Sequence, residues 1–135
     1  MKTVNPHFLS VLLGPLIGQA DDEEAVIRFR SFQSNDKAAL KQVIREELVG
    51  YYQSLPAEVK DRCKLALRYY LTVGKIDFSR IIDSNLLPFD APSDSKSFFR
   101  FLWDELFPNE LPETDSPEPF TEVDDIDEPN RYFPN

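Results

Sequence analysis

From Leu40 to Leu71 apolar residues return every three or four positions, and no other feature constrains this chain so tightly. Leu40, Val43, Ile44, Leu48, Tyr51, Tyr52 and Leu55 form one stripe, and Val59, Cys63, Ala66, Leu67, Tyr70 and Leu71 a second. A spacing near 3.6 lines up one face of a helix, whereas a half-buried strand would alternate every second residue. Asn35 is placed to cap the first of these helices, read from Asp36 to about Gln53. Pro56 opens the second and Gly74 is its expected stop. So short a break between them predicts an antiparallel pair at the centre of the fold.

The flanking segments carry the same signature. Asn5-Pro6 starts a first helix, which Gly14-Pro15 bends or breaks. "DDEEAVIRFRSF" puts four acids where a helix dipole favours them, with Ala25 or Val26, Phe29 and Phe32 inward. Asp77 caps a short helix, "FSRIIDSN", and "LLPFDAPSD" is a proline-rich loop. In "SFFRFLWDELF" Phe99, Leu102, Trp103, Leu106 and Phe107 make a full stripe and leave Phe98 and Phe101 over, so this helix is central to the core or partly a docking site. The expected fold is all-α: a compact bundle of five or six helices around an antiparallel central pair.

Charge divides the 135 residues into two regions. Residues 1–107 hold 14 Lys and Arg against 15 Asp and Glu, while 108–135 hold one Arg against nine acids. The first region is expected to be a helical domain and the second an acidic, proline-rich tail that builds no core of its own. Phe120, Val123, Ile126, Tyr132 and Phe133 are anchors on that acidic string. Such a segment suits docking along a basic, partly apolar groove, on its own body or on a partner.

Catalytic chemistry has little to stand on. His7 is the only histidine, and Cys63, the only cysteine, lies on a core stripe where a thiol behaves as a small hydrophobe. An enzyme using either is the weakest reading. The pairs Glu46-Glu47 and Asp104-Glu105 are adjacent, so each points to two sides of a helix rather than converging. "DDIDEP" gathers hard oxygens, but a calcium loop begun at Asp125 meets Pro129 fifth and Asn130 sixth, where glycine belongs. No metal site and no cofactor are expected.

Two basic rows remain. Lys37, Lys41 and Arg45 recur every fourth residue, as do Lys60, Lys64 and Arg68. They serve as solubilising faces or as an anion-binding surface for an acidic partner or for the tail itself. Nucleic acid is disfavoured by a net charge of −9. The N-terminal 22 residues have some features of a secretory signal, yet Leu9, Leu12, Leu13, Leu16 and Ile17 keep helical spacing. A single cysteine fits a reducing compartment, so a cytoplasmic protein without a membrane span is expected. The leading reading is a non-catalytic module that binds another protein with a basic surface through Phe120, Asp124, Asp125, Asp127, Glu128, Tyr132 and Phe133. Small acidic inhibitors of the immunity or antitoxin kind share this charge logic, because acidity steers them onto a basic target. The alternative is an autoregulated anion or nucleic-acid binder whose tail masks the basic rows. Composition does not fix the oligomeric state.

Overall fold

The computed structural model describes residues 2–73, 75–90, 92–113 and 120–133. Among them run seven α-helices: α1 His7–Val11, α2 Glu23–Arg28, α3 Lys37–Val43, α4 Val49–Ser54, α5 Ala57–Thr72, α6 Phe78–Ser84 and α7 Ser95–Leu106. Short strands β1 (Lys2–Val4) and β2 (Phe120–Glu122) pair in parallel, Lys2 opposite Phe120 and Val4 opposite Glu122. The chain is mostly helical, with more helices than the pattern predicts and a ribbon it does not predict.

The extra helix comes from a break in the long third segment. Ile44–Leu48 form a π turn between α3 and α4, which shifts the register by one residue. Ile44, Leu48 and Tyr52 point inward, while Tyr51 is only half-buried. The cap also differs by one residue: the Asp36 side chain accepts the amides of Ala38 and Ala39, and Asn35 instead accepts from Ser93. α5 follows its predicted stripe, with Val59, Cys63, Ala66, Leu67, Tyr70 and Leu71 all buried. Gly74, its expected stop, lies outside the described residues.

The centre of the fold is α7 rather than an antiparallel pair. It packs on α3, α4, α5 and α6, while α5 finds its main neighbours in α1 and α7. Phe98, Phe99, Leu102 and Trp103 are shut off from water, each such burial contributing roughly 1.5–3 kcal/mol. Phe98 is thus a core residue, and Phe101 is half-buried beneath lysines of α3. Asp94 and Asp77 cap α7 and α6 through their carboxylates.

Gly14 begins a 3-10 turn after α1, as the Gly14-Pro15 break requires. A Cβ on Gly14 would clash with the Tyr51 ring, so a side chain there would require Tyr51 to move. Gly18 then turns the chain at φ 74°, leaving Ile17 exposed where a continuous helix would bury it.

Candidate functional site

The basic row on α3 is engaged within the body. Lys37 and Lys41 lie over the Phe101 ring, 5.4 and 5.3 Å from its centre, and Arg45 Nε donates to Glu105 of α7 at 2.8 Å. On α5, Lys64 Nζ donates to Glu110 at 2.7 Å, and Arg68 donates to the other oxygen of that carboxylate. Lys64 also sits over Phe107 and Arg68 over Trp103. The Trp103 indole donates to the Glu110 carbonyl at 2.7 Å, so Glu110 is held by backbone and side chain together. Hydrogen bonding from Lys64, then from Arg68, keeps its carboxyl below the usual carboxylate range. Lys60 makes no ion pair among the described residues.

Residues 120–133 lie against the body. Phe120 packs on Tyr69, and the Tyr69 and Tyr70 hydroxyls both donate to Glu122, at 3.1 and 2.9 Å. Glu128 is buried: it accepts from Asn5 Nδ2 at 3.0 Å and from Arg62 at 3.2 Å. Asn5 also donates to the Asp125 carbonyl at 2.7 Å. Tyr132 stacks under the Arg62 guanidinium and touches Phe8, and Phe133 is half-buried beside the core. Asp125 pairs with Arg131 at 2.9 Å, and its carboxyl is lowered chiefly by the Asp127 amide, with Arg131 adding to it.

Of the tail residues singled out in the sequence, Phe120, Glu128, Tyr132 and Phe133 thus face the chain itself. Asp124 and Asp127 face outward. Asp124 Oδ1 is 2.5 Å from His7 Nε2, yet its side chain stays 85% exposed. Between them Ile126 is 71% exposed. It stands at the edge of a groove of about 600 Å³ lined by His7, Val11, Ile17, Tyr51, Ile126 and Phe133, among others. The tail wall of this groove was visible in the sequence as the anchor Ile126. The opposite wall is not, because helical spacing from Leu9 to Ile17 places Ile17 inward, and the break at Gly14-Pro15 turns it outward.

Cys63 donates to the Phe8 carbonyl at 3.5 Å, and burial pushes its thiol up, so it stays protonated. The described residues contain no group of three His, Cys, Asp or Glu disposed to hold a metal, and no described helix is long and apolar enough to cross a membrane. Comparison with protein-family models, curated proteins and solved structures finds no match.

Proposed function

We propose that this chain is a non-catalytic protein-binding module whose C-terminal segment presents an acidic face to a basic partner, in the manner of a small steering inhibitor. One observation carries the reading. Most described acids of the tail are held by the chain itself, but Asp127 is exposed and Asp124, though it meets His7, stays 85% exposed, the two standing on either side of an exposed isoleucine. Outward carboxylates at an apolar spot raise the encounter rate with a basic surface and give it something to close on.

Poly-lysine is a direct probe. The Asp124→Asn/Asp127→Asn variant should bind it more weakly at low salt than Glu23→Gln/Glu24→Gln, which loses the same charge from α2. Equal weakening in both would reduce the effect to net charge and remove the case for this face.

A second reading follows from Glu110. Its carboxylate occupies Lys64 and Arg68 together, which supports a basic patch masked until the segment after α7 moves. Glu110→Gln should then gain salt-dependent binding to heparin, with the wild-type chain as reference. No gain would remove this reading and leave the first untouched.

A further inference from the structure

We propose that the cup formed by Lys64, Arg68, Trp103 and Phe107 is a binding site for a phosphate monoester, and that Glu110 is the carboxylate that fills it in the absence of ligand. The inference rests on the masked-patch reading and gives that patch a ligand class.

The cup has more donors than Glu110 has oxygens. Lys64 Nζ donates to one oxygen of the carboxylate at 2.7 Å, and Arg68 Nη2 donates to the other. Arg68 Nε is shut off from water, yet it meets no acceptor among the described residues. Nη2 and Nε share one edge of the guanidinium, the edge that grips an oxyanion through two parallel hydrogen bonds. With one Glu110 oxygen given to Lys64, a single oxygen is left for this edge, and half of the fork goes unused. A phosphate monoester brings three free oxygens, one for Lys64 and two for the fork, and nearly two negative charges for the two cations. A buried donor without an acceptor is costly, and a third oxygen is what would satisfy this one.

The cations are positioned independently of the carboxylate. Lys64 Nζ lies 4.6 Å from the centre of the Phe107 ring, and the Arg68 guanidinium 5.2 Å from that of Trp103. The backbone of Glu110 has its own ties: its carbonyl accepts from the Trp103 indole at 2.7 Å, and its amide donates to the Phe107 carbonyl at 3.1 Å. Its side chain is 43% exposed. The carboxylate can therefore turn out into water while the backbone turn that carries it stays in place.

A cavity of about 550 Å³ adjoins the same two cations, with Thr3 and Leu65 in its wall. That is room for the group that carries the phosphate. Glu58 and Asp61 also line it, but Asp61 stands two turns of α5 from Arg68, about 10 Å along the axis, and Glu58 further still. Arg62, at that end, is taken up by Glu58 and Glu128. The cavity is thus polarised along α5. The phosphate belongs at the end of Lys64 and Arg68, and its carrier toward Asp61.

The test titrates the full wild-type chain and Glu110→Gln at about pH 7.5, where the monoester is largely a dianion. The probes are N-acetyl-O-phosphoserine amide, inorganic phosphate and malonate, a dianion built from carboxylates. NMR follows the Arg68 Nε–H directly, and an unchanged Trp103 indole signal shows that the turn at Glu110 is intact. Phosphoserine should shift the Nε–H in both proteins and bind Glu110→Gln about tenfold or more tightly than wild type. It should also exceed malonate by about tenfold. Adding Arg68→Lys keeps the charge, removes the fork and should erase that preference. Malonate binding as tightly as phosphoserine, with heparin binding gained by Glu110→Gln, would overturn the phosphate site and leave the masked patch standing. Binding of neither probe and no heparin gain would overturn both. Inorganic phosphate binding as tightly as phosphoserine would remove the cavity from the site and overturn the monoester. An Arg68 Nε–H that phosphoserine leaves unmoved in both proteins would overturn the site.

Discussion

Leu67 on α5 and Glu128 in the tail are both withdrawn from water, and they hold the molecule together in different ways. Leu67 belongs to an apolar cluster that runs from Val4 to Trp103, where each contact is weak, undirected and shared among many neighbours. Glu128 is held by two named donors, Asn5 and Arg62, and its value depends on geometry. The body is therefore expected to fail as a whole. The tail is expected to fail tie by tie, with local opening well below the global free energy.

The largest effects belong to the body. Leu67→Ala and Leu48→Ala should each cost about 2–5 kcal/mol in chemical denaturation, because a cavity adds to the lost transfer energy. Losses below about 1 kcal/mol for both would place these residues in the range of surface changes and erase the contrast.

Next comes the tail's buried carboxylate. Glu128→Ala removes one hydrogen bond from Asn5, which keeps the Asp125 carbonyl, and one from Arg62, which keeps Glu58, and should cost about 1–3 kcal/mol, the range for hydrogen bonds to a charged group. Hydrogen exchange locates the loss: the Val123 amide, which donates to Val4 O at 2.8 Å, should exchange faster while α5 amides keep their protection. Equal acceleration in α5 would show that the tail is continuous with the core rather than appended to it.

pH separates the two regions less sharply. Carboxyls of Glu110, Glu113 and Asp125 are lowered in the fold, as are the caps Asp77 and Asp94. Their contribution is present above the unfolded value near pH 4 and is lost as pH falls through the lower folded values. Burial raises Cys63, Tyr70 and Tyr52, the last to about 12. That contribution is intact below the ordinary thiol and phenol values, roughly pH 8.5–10, and is lost as pH climbs toward the folded ones. Acid should therefore speed exchange at the capped amides of Ser79 and Ser97 while amides within α5 keep their protection, whereas alkali should loosen the core around Cys63 and Tyr70. Simultaneous loss of cap and α5 protection in acid would contradict this order.

Smallest is the contact at the surface. Asp124→Asn at the His7 tie, where the carboxylate is 85% exposed, should change stability by less than about 1 kcal/mol. A larger loss in thermal unfolding would mean that Asp124 is structural and unavailable to a partner.

The sequence exposes the body far better than the tail, and the cause is range. The stripe on α5 and the Asp77 cap are written within a few residues of each other, and both appear where periodicity puts them. The π turn at Ile44–Leu48 interrupts no pattern a reader could see, since Ile44 and Leu48 still point inward. α7 announces its apolar surplus but not its neighbours, which only tertiary packing selects. β1 and β2 are three residues each, too short to alternate visibly, and pair across most of the chain. The groove was half legible: Ile126 stood out among acids, whereas its opposite wall depends on a turn at Gly18 that rotates Ile17 outward.

The hydrogen bond from Asn5 to Glu128 spans 123 positions. A ribosome adding about 5–20 residues per second would take roughly 6–25 s to cover that distance. Throughout that interval Lys2–Val4 has no strand beside it, even where α1 and α5 have already met. The later-made segment thus closes what the earlier-made one left open, and a chain stalled before Phe120 would carry an unpaired strand edge of the kind that invites aggregation.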